Sequence, residues 1–276
     1  MKTSLPPVVC CMAASLGAAL LGCSAPRPSP TGADGKSLAE SWRIISGKQF
    51  VDLTHTFSPT TPEWQGFGRA TFAPAADPAT GRPYTVEKDG FRALQYKLVG
   101  QYGTHIDPPA HFDAHGKTLD ELPVKEMMLP LVVFDITPKL RDEPNHALTV
   151  EDILAWEKVH GRVPAGCFAA LRTDMYKDWD ANPERFNRQP FPAWSLEAIQ
   201  FLYEQRGIVA NGHESMDTDT TADMKSETWL LRHGHWQIEV MANLDKVPPT
   251  GALIVVAWPK PKGGLGFPVR AFAIVP

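Results

Sequence analysis

Short apolar runs recur along this chain, at 131–136, 168–171, 208–210, 238–241, 253–257 and 269–275, and they leave few folds open. Runs of this length, nearly continuous and rich in branched residues, suit β-strands covered on both faces better than helices. Residues 50–53 and 94–99 read as further strands. Helices are fewer. Ser195 can cap one whose Leu196, Ile199, Leu202 and Tyr203 share a face and which Gly207 closes. Thr149 can cap a second through Ile153, Leu154 and Trp156, and a third spans about 222–232 before Gly234. Strands outnumber helices without regular alternation, which disfavours a doubly wound sheet and predicts one β-rich α/β domain. The 26 prolines and 21 glycines fit a loop-rich fold of that kind. No repeat period is visible, which disfavours solenoids and propellers.

Charge narrows the partners. A formal net charge of −4 provides no basic field for nucleic acid, and 43% hydrophobic residues exclude a disordered chain. The first residues have another purpose: Lys2, then a mostly apolar stretch ending Leu20-Leu21-Gly22-Cys23. A short positive region, an apolar region and small residues before a cysteine resemble a bacterial lipoprotein signal. The division that follows is a signal over 1–22, a Pro-containing flexible tether over 23–36 and a domain over 37–276. Lipid on Cys23 would be the only membrane attachment, placing an exported protein in the periplasm. Cys10 and Cys11 leave with the signal, so Cys167 alone stays in the body, within a strand. The mature domain thus contains no disulfide framework, and a buried apolar thiol is a poor nucleophile.

The densest group of chemically competent side chains runs from Gln101 through Gly103, His105, Asp107, Pro108, Pro109 and His111 to Asp113. His105 and Asp107 are two apart, so in extended chain both point to one side. An imidazole and a carboxylate so placed suit a divalent cation, with His111 free for proton transfer, although a surface loop with incidental histidines has the same spacing. Glu239 lies within an apolar strand, where a lone carboxylate is costly and calls for a cation or a basic partner. No Gly-x-Ser-x-Gly elbow occurs, which disfavours serine-hydrolase chemistry. His213, beside Glu214, Asp217 and Asp219, and the pair His233 and His235 are read as lying outside the site.

The segment Gly103-Thr104-His105-Ile106-Asp107-Pro108-Pro109-Ala110-His111 resembles the signature of the cyclase family, which includes bacterial kynurenine formamidase and isatin hydrolase. Further stretches match in the same order: Val51-Asp52-Leu53-Thr54-His55, Pro62-Glu63-Trp64-Gln65-Gly66, Leu171-Arg172-Thr173, Ile238-Glu239 to Asn243-Leu244, and Pro268-Val269-Arg270-Ala271. The resemblance implies a swivelling β/β/α-like domain. It also implies a metal-dependent hydrolase of an amide or cyclic amide, with His105, Asp107 and Glu239 as metal ligands and His111 as the catalytic base. Two family histidine ligands fall on Gln101 and Glu227, which can each still offer oxygen. That harder donor set favours Mn²⁺ over Zn²⁺ or Mg²⁺, and one metal over two. Trp64 and Phe112 become walls of the substrate pocket, and relatives imply a homo-oligomer. Two other readings remain at this point: an inactive periplasmic binding protein on the same fold, and a hydrolase of lactones or cyclic imides.

Overall fold

The computed structural model describes residues 37–276. The signal, the tether and the lipid attachment at Cys23 lie outside the described residues. Two compact units divide at Ser46 and Gly47. In the first, α1 (Leu38–Ser46) is capped by Ser37, whose hydroxyl accepts from Glu40 N at 3.2 Å. Among the described residues no helix is long and apolar enough to cross a membrane.

The second unit is built on a nine-stranded sheet. Its strands are β1 (Gln49–Asp52), β2 (His105–Asp107), β3 (Met128–Asp135), β4 (Phe168–Arg172), β5 (Ala210–His213), β6 (Trp236–Glu239), β7 (Ala252–Ala257), β8 (Phe267–Pro268) and β9 (Arg270–Val275). They lie in the order β1-β9-β7-β3-β4-β5-β6-β2-β8, with β3, β4, β5 and β6 mutually parallel and the flanking pairs antiparallel. The sheet curls into a half-barrel. Ala242, just past β6, donates from its backbone to the Leu53 carbonyl at 3.0 Å, so chain ends from distant strands meet. Inside the curl one core collects Val51, Leu131, Val133, Phe168, Ala170, Ile106, Ile238 and Ile254.

The parallel strands need crossovers, and helices supply them. Between β3 and β4 runs α2 (Val150–His160), started by a reciprocal cap in which Thr149 and Asp152 exchange side-chain and backbone hydrogen bonds. Before β5 comes α3 (Leu196–Gln200), capped by Ser195, which widens into a π-turn at Phe201–Arg206 and ends at Gly207. Between β5 and β6 lies α4 (Lys225–Arg232), which begins three residues later than its apolar pattern predicts. Its cap comes from outside the helix: the Asp219 carboxylate accepts from Ser226 N at 2.8 Å and Glu227 N at 3.0 Å. Ile153, Ile199, Leu230 and Leu231 on these helices pack against Val132, Phe134, Ala169 and Leu171 on the outer face of the sheet.

Residues 94–99, read as a strand, form one over Leu94–Lys97, which pairs with Thr71–Pro74 in a separate two-stranded ribbon rather than in the main sheet. The metal-competent loop is supported instead by its own residues, because His105–Asp107 is itself a strand of the main sheet.

Candidate metal centre

Strand register brings the site together. β2 runs antiparallel to β6 with Glu239 opposite His105 and Gln237 opposite Asp107. Side chains alternate across a strand, so these four share the outer face while Ile106 and Ile238 face the core inside the curl. β5 lies parallel on the other side of β6, with Asn211 opposite Gln237, so His213 falls beside Glu239. Residues 105 and 239, far apart in sequence, thereby become cross-strand neighbours.

The His105 Nδ1 lies 2.8 Å from the Gly103 carbonyl, which turns Nε2 toward the acids. That Nε2 is 3.4 Å from Asp107 Oδ2 and 3.6 Å from Glu239 Oε2, and it has no hydrogen-bond partner. One ligand atom from each of His105, Asp107 and Glu239 lies within 4.8 Å of the others, and all three residues are buried. A second trio, Asp217, Glu227 and Glu239, meets the same distance. The two trios share Glu239.

Such a concentration of buried acid has electrostatic consequences. Burial, then the charge of Asp107, pushes Glu239 up to about 8. Burial and Glu239 push Asp217 to about 7. Burial followed by Glu239 and Asp107 holds Glu227 well above its ordinary range. Burial also opposes charge on His105, but Asp107 and Glu239 outweigh it and raise the imidazole to about 9. Burial opposes ionisation of Asp107 as well, yet His105 keeps it at about 2. Near neutral pH the metal-free site therefore holds protons on His105, Glu227 and Glu239, which a divalent cation can displace. The orphaned His105 Nε2 beside oxygen donors therefore fits a bound divalent metal.

The remaining site residues fall at stated places. His111, on the single turn Pro109–His111, has its Nε2 4.0 Å from Asp107 Oδ1 and remains partly open to the cavity. Gln101 presents nitrogen to the acids: its Nε2 donates to the Leu265 carbonyl at 2.7 Å and to Asp107 Oδ1 at 3.3 Å. A Cβ on Gly266 would sit 2.0 Å from that nitrogen, so this approach requires glycine. Glu227 lies on α4, buried, with Oε1 accepting from Gln237 Nε2 at 3.2 Å.

A cavity of about 290 Å³ opens over the acids, lined by Trp64, Phe67, Phe112, Met216 and Met224 together with Gln101, His105, His111, Asp217, Glu227 and Glu239. Trp64 and Phe67 have ring centroids 5.0 Å apart, and His111 meets Phe112 edge-on at 4.9 Å. The Trp64 ring folds over Gly66, where a Cβ would lie 1.3 Å from Cζ3. Backbone strain marks the end of β6: Val240, branched, has φ +58. It is held by Thr104 Oγ1 donating to its carbonyl at 2.6 Å, at a cost of about 1–3 kcal/mol.

Three placements correct or extend the sequence reading. His213, placed outside the site from sequence, is fully buried with Nε2 3.4 Å from Glu239 Oε1, because parallel pairing carries it to that position. Asp217 reaches the site as well, whereas Asp219 caps α4 and Glu214 accepts backbone N–H groups from Thr173, Asp174 and Leu244. Gln237 was missed; its signal was its spacing of two from Glu239 within a strand. His233 and His235 do lie outside: His233 Nδ1 is 2.7 Å from the Trp229 carbonyl, and His235 stacks on Tyr203 at 3.8 Å. The Cys167 thiol, pushed up to about 12 by burial, is no nucleophile.

Known proteins share this arrangement of strands. The Cyclase family model matches residues 51–220. Isatin hydrolase of Roseibium aggregatum is 30% identical over 254 residues, covering 85% of this chain and 95% of that protein. Isatin hydrolase A from Ralstonia solanacearum superposes with a TM-score of 0.77 at 28% identity, over 91% of this chain and all of that one, or 100%. An isatin hydrolase bound to the product analogue thioisatinate gives a TM-score of 0.75 at 27% identity, covering 87% of this chain and 97% of the other. With the family model spanning more than half of its length, the chain belongs to the cyclase family.

Proposed function

We propose that this protein is a metal-dependent hydrolase that opens an aromatic cyclic amide of the isatin class, cleaving a non-peptide C–N bond. The observation that carries the reading is the placement of His105, Asp107 and Glu239 on one sheet face, beneath a cavity walled by Trp64, Phe67 and Phe112. One imidazole and two carboxylates form a donor set that suits Mn²⁺ better than Zn²⁺ and binds it more firmly than Mg²⁺. When bound, the metal supplies Lewis acidity toward the amide carbonyl and makes hydroxide available near neutral pH.

The chain's own residues do the rest. The aromatic walls hold a flat ring edge-down toward the acids and exclude water from its faces. His111, at the cavity rim, takes the proton from the attacking water and returns it to the departing ring nitrogen. Gln101 and Gly103 act one step back, fixing the Asp107 carboxylate and the His105 ring. The lipoprotein-type N-terminus supports a periplasmic, membrane-tethered enzyme, and the resemblance to the cyclase family supports a homo-oligomer.

A substrate panel tests this. Metal-stripped protein, reloaded with Mn²⁺, Zn²⁺ or Mg²⁺, is assayed on isatin, an aryl formamide, a cyclic imide and a lactone. Isatin ring opening that returns with Mn²⁺ is the expected result, and Trp64→Ala should raise KM for isatin about tenfold. Turnover of the lactone alone, or of nothing with Mn²⁺ bound, contradicts the reading.

A further inference from the structure

The cavity over the acids has a neighbour. A second chamber, of about 130 Å³, shares with it the wall formed by Trp64, Met216 and Met224. Buried Phe191 also lines the chamber, and among the described residues Glu63 supplies the one charged side chain of its lining.

The protein leaves the Glu63 carboxylate partly unused. Its Oε2 is buried and has no hydrogen-bond partner. Its Oε1 lies 3.8 Å from Arg69 Nε, too far for a hydrogen bond, and the Arg69 side chain is 74% exposed against 18% for Glu63. Water therefore screens that guanidinium. The turns on either side of Glu63 are held in place. Ser58 N donates to Thr61 Oγ1 at 2.8 Å, the Tyr102 hydroxyl donates to the Ser58 carbonyl at 2.8 Å, and Phe67 N donates to the Trp64 carbonyl at 2.9 Å. A buried carboxylate oxygen without a donor is costly, and a donor brought by a ligand removes that cost.

The rest of the lining narrows the donor to a cation. An alkylammonium is attracted to the faces of Trp64 and Phe191 as well as to the carboxylate. Met216 and Met224 are unbranched, so the shared wall can give way to a substituent passing from one space into the other. Glu63 belongs to neither cation trio, so a metal bound there leaves its charge free. We propose that Glu63 selects aromatic cyclic amides that carry an alkylammonium substituent, which enters this side chamber while the scissile amide lies over the metal centre. The inference deepens the hydrolase reading above and rests on it for the placement of the ring.

The Mn²⁺-loaded full chain is assayed on pairs of isatins substituted at each free carbon of the benzo ring in turn. One member of each pair carries dimethylaminomethyl and the other isobutyl, its neutral isostere. In wild type the cationic member of at least one pair should be favoured roughly thirtyfold in kcat/KM, and Glu63→Gln should bring that ratio close to one. The ratio is taken within each variant, so a general loss of activity does not move it. A wild-type ratio near one at every position overturns the proposal and leaves the chamber to water. A preference that survives in folded Glu63→Gln overturns it as well, since the acids of the metal centre would then be its source. Should Glu63→Gln not fold, the wild-type ratio decides. If wild type opens none of these isatins, the hydrolase reading fails, and the pairs are compared as ligands by equilibrium dialysis. Tighter binding of a cationic member, abolished by Glu63→Gln, upholds the subsite, and equal binding overturns it.

Discussion

The helix-covered face of the sheet is lined in two ways. On β3 and β4 it presents Val132, Phe134, Ala169 and Leu171, which pack against α2, α3 and α4. On β5, β6 and β2, the same face presents Asn211, His213, Gln237, Glu239, His105 and Asp107, all buried. Burial of a large apolar side chain on the first half contributes about 1.5–3 kcal/mol each. On the second half, burial costs free energy wherever a polar atom lacks a partner, as at His105 Nε2 and both nitrogens of His213. One region stabilises the fold. The other is carried by it, and its charge is compensated by retained protons or by a cation.

The two regions should therefore respond differently to mutation. Asp107→Ala removes a donor shared by the imidazole and the acids. Several kcal/mol of electrostatic stabilisation correspond to roughly a 10⁴-fold loss in kcat/KM. Metal analysis should show the cation lost too, and activity retained by metal-free Asp107→Ala would break the contrast. His111→Ala should lower kcat by about 10³-fold while bound metal stays at the wild-type level. Loss of metal along with activity would place His111 among the ligands instead. Phe134→Ala, on the apolar half, should cost about 3–5 kcal/mol in denaturant unfolding. The folded fraction should keep its kcat, and a kcat that fell with stability would show that the halves are not separable.

The smallest effect is one of pH. Between about 6.5 and 8 the metal-free fold retains protons on Glu239, at about 8, and on His105, at about 9. The unfolded chain, with ordinary values of 4.5 and 6.5, has largely released them. Asp217, at about 7, adds to the lower part of the interval. The lowered His213, at about 4, acts in the opposite sense, but only below its ordinary 6.5. Because the native state binds more protons, its stability falls as pH rises across this interval. Thermal melts of metal-free protein should drop by about a few degrees from pH 6.5 to 8, and saturating Mn²⁺ should remove the slope. A metal-free Tm that rises over that interval would contradict these shifts.

Much of the apolar half could be read from the chain. Its strands are continuous hydrophobic runs, and the caps at Thr149 and Ser195 sit where their side-chain chemistry places them. The polar half was readable only where chain neighbours form the site, as in 101–113. Glu239 stood out because a carboxylate in an apolar strand has to be explained. Gln237 did not, since a glutamine between Trp236 and Ile238 passes for one solvated position in a half-buried strand. His213 and Asp217 depend on which strands become neighbours, and the pairing of β5 with β6 is a property of the whole sheet. At Leu94–Lys97 the strand reading holds, but the alternating pattern did not reveal that its partner is Thr71–Pro74 rather than a strand of the main sheet. Local pattern sets which element forms, and tertiary pairing sets what it faces.

Crystals grown with Mn²⁺ and measured at the manganese absorption edge would test the central assignment most directly. The account predicts one anomalous peak, bounded by His105 Nε2, an Asp107 oxygen and Glu239 Oε2, beneath the Trp64 and Phe112 walls. A peak seated elsewhere, or no peak over those three side chains at saturating manganese, would contradict it.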